Sequence, residues 1–509
     1  MTELPRPDGG APLWSRPRAR ELGAPLSGPV RADVAVVGGG ITGLTLALLL
    51  QREGLSVALL EAERVASGTT GATSAHVTSV LDISYRQLLD RLGRERATAV
   101  VEGSGRALDF IRSMARSSVA CSFELCPAYR YAEDADAIPE LQKEFDAARE
   151  LGVPVSLTDG APLPFPVAGA LHFSRQGAFD PVEYVVGLAE LFVAAGGRLH
   201  EGARVTAFEE DSDSVVLQAT GGLVVASHAV LATHTPIGTN LVQSQTEPHR
   251  SYMLALRTRS ELAAGLYWDT ETPYHYLRPV RWDGASLVLV GGEDHRVGHD
   301  DPLERYQALE RYARERFADV EVVRRWSAQL YEPADGLPFV GRSPLAERIF
   351  VATGFAGTGL VLGTLAAHVV ADALRGRPDT PLAEAVRATR APALAAAGRV
   401  TRQGLDTAVH YVGDRLGSGD VASVAEIPKA AGAIVEVEGQ KLAVYRDGGG
   451  RLHALSPVCT HMGCIVRWNA AERSWDCPCH GGRFSALGDV QSGPPMRDLE
   501  GRSLPRDAS

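Results

Sequence analysis

The stretch Asp33-Val34-Ala35-Val36-Val37-Gly38-Gly39-Gly40-Ile41-Thr42-Gly43-Leu44 decides how this chain folds at its front end. Asp33–Val37 is a short apolar strand, Ile41–Glu53 a helix of Leu and Ala, and Ser56–Leu60 a second strand, which makes a βαβ unit. Gly38, Gly40 and Gly43 stand as G-x-G-x-x-G between the first strand and the helix. The first glycine permits the tight turn and the second lets the backbone approach a pyrophosphate. The third lets helix and strand pack closely, and the helix N-terminus, with Thr42 in its first turn, faces the phosphate charge. Glu61 ends the second strand, 18 residues after Gly43, where an acid hydrogen-bonds ribose hydroxyls. A lone glycine motif is weak evidence, but strand, motif, helix, strand and acid in this order specify a dinucleotide site. No second such unit occurs, so a nicotinamide cofactor has no evident home.

Outward from this unit, residues 1–30 are rich in Pro, Arg and Gly and read as a leader on the surface, without the apolar segment of a secretory signal. Ile138–Leu151 and Pro181–Ala195 read as helices, and Leu223–Thr233 and Ser286–Gly291 as strands. Leu362–Leu374 is an Ala-rich helix that stops at Gly376, with Pro378 just beyond. Over 394–419, Val400, Leu405, Val409, Val412 and Leu416 keep roughly helical spacing, as in a connecting helix. Short strands follow at Ala433–Val437, Leu442–Arg446 and Leu452–Leu455. A chain of 509 residues is expected to hold more than one domain, and these breaks divide it at 1–30, 31–393, 394–419 and 420–509. Net charge is −11 with no basic run, which argues against nucleic acid or an anionic membrane as partner. No run of 18 uncharged apolar residues occurs, so no membrane span is expected and the protein reads as cytoplasmic.

Three later segments identify the dinucleotide. Ser67-Gly68-Thr69-Thr70-Gly71-Ala72-Thr73-Ser74-Ala75-His76 follows Glu61, and Asp335-Gly336-Leu337-Pro338 and Gly354-Phe355-Ala356-Gly357-Thr358-Gly359 come late. Together with the glycine motif they resemble the D-amino-acid-oxidase type of FAD-dependent oxidoreductase, over roughly 32–375. The resemblance implies an α/β FAD-binding domain, Rossmann-like and of the glutathione-reductase type, interleaved with an α+β substrate domain on an antiparallel sheet. It implies that Thr69, Thr70, Ser74, His76, Val205 and Ala232 line the flavin. It also implies that Gly354, Gly357, Thr358 and Gly359 open a helix whose N-terminus faces the flavin ring.

Four of the six cysteines crowd near the end, in Cys459-Thr460-His461-Met462-Gly463-Cys464 and, twelve residues later, Cys477-Pro478-Cys479-His480-Gly481. Each half offers a Cys and a His. Two thiolates for one iron and two imidazoles for the other, from Cys459, Cys477, His461 and His480, is how a Rieske [2Fe–2S] cluster is held. A structural zinc site is the alternative, but zinc modules use C-x-x-C and H-x-x-x-H pairs rather than mixed ones. The segment resembles Rieske domains of the cytochrome bc type, a small all-β fold. That resemblance implies a disulfide between Cys464 and Cys479. The family usually places a Ser after His-Gly and a Tyr two residues on, both donating to sulfur. Here Gly482 and Phe484 stand instead, which lowers the expected potential, because such donors stabilise the reduced cluster.

Weaker signals need weighing. His295 and His299 suggest an iron site but read as a solvated loop, and Cys121 and Cys126 read as unpaired thiols. Trp326 fits either pocket wall or core. Tyr252, Tyr274, Tyr276, Arg278 and Tyr331 are substrate-pocket candidates, with Tyr274, Tyr276 and Arg278 sharing one strand face. No catalytic base is assigned. Family members that oxidise free amino acids carry an Arg five residues before the Asp of D-G-x-P. Here that position is Leu330, which implies an amine-type substrate without an α-carboxylate. Expected, then, is an FAD oxidoreductase acting on a C–N bond and draining electrons through the cluster to a one-electron acceptor, a protein or a quinone. The alternative is an electron relay serving a separate enzyme. A Rieske oxygenase would need a large iron domain after the cluster, and 29 residues follow His480.

Overall fold

The computed structural model describes residues 10–16, 18, 21–390 and 419–504. Strand β1 (Gly28–Val37) runs through the glycine turn into helix α1 (Ile41–Arg52) and back along strand β2 (Val57–Leu60). β1 is the middle of a parallel layer, paired with β2 on one side and with Gly222–Leu231 on the other. Ile349–Thr353 extends one flank, with Phe339–Arg342 antiparallel beyond it, and Arg198–His200 the other. All of β2 is buried, as in a strand covered on both faces. α1 packs on helix α2 (Gly359–Leu374). At Gly363 a Cβ would stand 2.4 Å from Thr42 Oγ1, so the two helices nearly touch where they open.

The second layer is a nine-stranded sheet. Its strands β3 (Thr246–Arg257), β4 (His275–Trp282), β5 (Ala285–Arg296) and β6 (Glu321–Pro333) lie in the order β6-β3-β5-β4, with β6 at the edge. These pairings are antiparallel, but Leu266–Asp269 runs parallel to Glu124–Ala132, so the sheet is mixed. Alternation divides the edge cleanly. Ala328 and Leu330 lie opposite Ser251 and His249, while Gln329 and Tyr331 lie opposite Arg250 and Pro248.

The C-terminal part has two four-stranded antiparallel sheets, one of Ala431–Val437, Gln440–Arg446, Leu452–Leu455 and Gly501–Arg502. The other holds Arg467–Asn469, Ser474–Asp476, Arg483–Ser485 and Val490–Ser492. Cys459–Cys464 enters the second sheet and Cys477–Gly482 bridges two of its strands.

Two expectations are corrected here. The leader is not merely superficial: Leu13 and Trp14 are buried, and Trp14 donates to the Thr73 carbonyl at 2.8 Å. Nor is His295 in a solvated loop. It sits buried on β5, stacked on Tyr252, whose hydroxyl lies 2.8 Å from its Nε2; only His299 is exposed. The linking helix expected over 394–419 falls, apart from its last residue, outside the described residues.

Candidate active site and cluster site

One cavity of about 720 Å³ runs from the glycine turn to the sheet edge. Gly38 and Gly40 line its nucleotide end with Thr42, Glu61, Thr69 and Thr70. Gly38 has a φ of 111° and lies where a Cβ would be 2.4 Å from the Ala232 carbonyl, so only glycine fits the turn. Glu61 accepts from the Gly39 amide at 2.7 Å; burial raises its pKa against that hydrogen bond. Ser74, His76, Val205, Ala232, Gly357, Thr358 and Gly359 also line the cavity. Burial, with the charge of Arg278 next, holds His76 neutral with a pKa of about 3. Gly43 and Gly354 do not line the cavity. Gly43 seats the helix on the strand, a Cβ there falling 2.0 Å from the Gly38 carbonyl, and Gly354 turns the chain with φ 76°.

Of the pocket candidates, Tyr274, Tyr276 and Tyr331 line the cavity, and Tyr252 and Arg278 do not. Ser251 and Met253 line it, so alternation turns Tyr252 to the opposite side of β3. Arg278 shares the face of Tyr276 but donates to the Ser74 and Ala75 carbonyls at 3.2 and 2.7 Å, bracing the loop there. Trp326 is core, donating to the Ala72 carbonyl at 2.9 Å. Cys121 and Cys126 are free and buried, and burial pushes them up to about 12 and about 11.

The sequence did not signal the acids beside this end. Asp82 accepts from the Gly357 amide at 2.6 Å, and burial pushes it up to about 6. A Cβ on Gly357 would lie 3.2 Å from the Tyr274 hydroxyl and 3.3 Å from Asp82 Oδ2, so the two meet at the same point of the wall. Asp294, close to Ser251 and Tyr274, has carboxylate oxygens closed to solvent; burial pushes it up to about 7. Glu332 also lines the cavity. Three arginines do so too, but Arg91 donates to the Asp335 carbonyl, Arg130 faces Glu144 and Arg204 faces Glu63. No motif marks any of these, because they converge from separate segments of the chain.

The cluster loops repeat one geometry. The Gly463 amide donates to the Cys459 carbonyl and the Gly481 amide to the Cys477 carbonyl, both at 3.0 Å, with φ of 83° and 71° at the two glycines. Cys464 and Cys479 are joined in a disulfide that ties the loops. The Cys477 sulfur lies within 4.8 Å of both those sulfurs, but a disulfide leaves them no thiolate to offer. What remains is Cys459, Cys477, His461 and His480. The imidazole centroids stand 5.0 Å apart, and His461 Nδ1 and Nε2 and His480 Nδ1 are buried without hydrogen-bond partners. Burial first, then the other imidazole for His461 and Arg296 for His480, holds each at about 4 and hence neutral, the form that ligates iron. Two thiols and two neutral imidazoles fit a [2Fe–2S] cluster.

The two sites adjoin. Gln491, Ser492, Gly493, Pro495 and Met496 of the C-terminal part line the flavin cavity. The interface is polar and buried: Arg250 reaches Asp476 at 3.4 Å, and Tyr331 donates to the His480 carbonyl at 3.2 Å. Gln329 donates to the Gly481 carbonyl at 2.8 Å, and Gly238 to the Pro494 carbonyl at 2.9 Å.

Comparison with known proteins agrees with this geometry. The family described as FAD dependent oxidoreductase matches residues 33–373, and the Rieske [2Fe-2S] domain matches 418–502. A Bacillus subtilis Rieske 2Fe-2S iron–sulfur protein, YhfW, is 30% identical over 482 residues, covering 93% of this chain and 94% of the relative. Gamma-glutamylputrescine oxidoreductase of Escherichia coli is 26% identical over 69% of this chain and 85% of its own. The crystal structure of glycine oxidase from Geobacillus kaustophilus superposes with a TM-score of 0.60 at 22% identity, over 71% of this chain and all of that one. No helix among the described residues is long and apolar enough to cross a membrane. The chain therefore belongs to the FAD-dependent oxidoreductases of the D-amino-acid-oxidase type, joined to a C-terminal Rieske [2Fe–2S] domain.

Proposed function

We propose that the protein oxidises a C–N bond of an amine lacking an α-carboxylate and delivers the electrons through its own Rieske cluster to an external one-electron acceptor, a protein or a quinone. The observation that carries this reading is the shared wall: Gln491–Gly493, Pro495 and Met496, which follow the cluster loops, line the same cavity as Gly38–Gly40 and Gly357. A wall shared between the cavity and the cluster domain supports direct transfer from a flavin held there. In this reading Cys459, Cys477, His461 and His480 hold the cluster, and the glycine turn, Glu61, Thr69 and Thr70 hold the dinucleotide. When bound, FAD accepts an electron pair and a proton from substrate, and the cluster accepts single electrons.

The chain's own groups orient the substrate. Asp82 offers a carboxylate to a cationic amine, beside Glu332, whose Oε1 lies 2.8 Å from His249 Nδ1, and Tyr274 and Tyr276 offer hydroxyls. Leu330 lies on the wall where an arginine clamp would stand, and Arg278 is engaged with the Ser74–Ala75 loop. A buried carboxylate without a cation would cost several kcal/mol. Relatives named as glycine oxidase and gamma-glutamylputrescine oxidoreductase bracket the choice, and the acidic wall favours the amine.

Anaerobic stopped-flow tests this reading. Amines should bleach the flavin faster than matched α-amino acids, and the Rieske signal should then appear by paramagnetic resonance. Faster bleaching by the amino acids would overturn the substrate class. Bleaching by NAD(P)H or a reduced protein, with none by amines, would establish the relay instead.

A further inference from the structure

We infer that Gln329 and Tyr331 form the bridge that couples the flavin cavity to the cluster, with Gln329 as its positioning residue. The inference rests on the electron route proposed above and names the residues that carry it.

Both lie on the edge strand β6, on the side away from Ala328 and Leu330, and both reach the cavity wall. Gln329 Nε2 donates to the Tyr331 hydroxyl at 2.7 Å and to the Gly481 carbonyl at 2.8 Å. Its Oε1 accepts from Arg250 Nη2 at 3.2 Å, and its own carbonyl oxygen lies 2.9 Å from His234 Nε2. The amide orientation is therefore set by two acceptors on one side and a guanidinium on the other. The Tyr331 hydroxyl, having accepted from Gln329, donates to the His480 carbonyl at 3.2 Å. The ring of His234 meets that of Tyr331 edge to face at 4.9 Å. Gln329 is 7% exposed and Tyr331 2%, so every polar group here depends on a protein partner.

Gly481 shows how closely the parts meet. A Cβ on it would stand 2.4 Å from Gln329 Nε2 and 2.9 Å from the Tyr331 hydroxyl. Tyr331, a residue of the cavity wall, thus hydrogen-bonds through its phenol to the residue that supplies a cluster imidazole, and one amide holds the phenol and the cluster loop together. An electron crossing the bridge would leave reduced flavin and turn one ferric iron of the cluster ferrous, and the one proton gained from substrate would pass to solvent once over the two crossings. Two transfers, separated by loss of an electron to the external acceptor, clear the pair received from one substrate.

The test needs no substrate. In full-length holoprotein, a flash with 5-deazariboflavin injects single electrons, and flavin and cluster absorbance follow their equilibration. Gln329→Met keeps the bulk but cannot donate, and Tyr331→Phe removes only the hydroxyl. Both should slow equilibration by roughly ten- to a hundredfold, the scale on which an ångström of misplacement is felt, while the cluster's paramagnetic g values stay those of the wild type. Wild-type rates in both variants would overturn the bridge. Slowing accompanied in both by altered g values would also overturn it, by showing damage to the cluster itself. Absence of any equilibration in the unmodified protein would overturn the electron route as a whole, a result distinct from failure of the bridge.

Discussion

Replacing Arg250 by Met should separate the cluster domain's docking from its folding. Arg250 is 2% exposed and donates to Ser327 Oγ and Gln329 Oε1, each at 3.2 Å, and to Asp476 Oδ2 at 3.4 Å. Breaking a buried pair by removing one partner costs about 3–5 kcal/mol. Asp476 keeps Arg483 at 3.1 Å, Asn469 at 2.9 Å and Ser474 at 2.8 Å, so its carboxylate is not left bare. The loss should fall at the lower end, about 3 kcal/mol. Asp476→Asn in the same background should cost less than the sum of the single variants, by about 1–2 kcal/mol, because the residues share one network. Denaturant unfolding of the holoprotein, followed by cluster circular dichroism and by flavin fluorescence, reads both quantities. A loss in Arg250→Met below about 0.5 kcal/mol, the range of an ordinary surface change, would refute the reasoning. So would strict additivity of the pair.

Cys464→Ala should loosen the cluster and leave FAD bound; a tie across a loop of this length, with partners at a sequence separation of 15, is worth about 3 kcal/mol, and unchanged cluster loss under heating would count against it. Phe484 is wholly buried in one apolar cluster with Cys459 and Cys477, and Phe484→Tyr should raise the cluster potential in protein-film voltammetry. Gly482→Ser should instead destabilise the domain, since its Cβ would fall 2.6 Å from Pro495; stability equal to wild type would show that this ring moves aside. Asp294, raised by burial from 3.8 to about 7, binds its proton more tightly folded than unfolded, so it lowers stability as pH climbs through that interval. Asp294→Asn should flatten the melting profile across it and raise the melting point above pH ~7, and an unaltered profile would show that Asp294 titrates normally.

Some of this was legible from local spacing because its physics is local. The glycine turn, α1 and Glu61 form one contiguous unit in which each residue's job depends on near neighbours. The cluster set was legible for a like reason: soft and imidazole ligands crowd into two short loops, and iron requires that mixture. Other features depended on which strand meets which. Alternation along β3 and β4 is readable, but not which side the cavity occupies, so Tyr252 reads as a pocket candidate while the fold turns it away from the cavity. Arg278 was assigned to the pocket although it braces the loop beneath it. A glycine at position 482 read as a missing donor, whereas folding shows it is also a space filled by Pro495. Asp82 and Asp294 meet Tyr274 from separate segments, and Tyr331 meets His480 across 149 residues. Chain spacing carries no record of such contacts. They arise because β6 is the edge of its sheet, and an edge strand's two faces can serve two neighbours at once: the flavin cavity on one side and the cluster domain on the other.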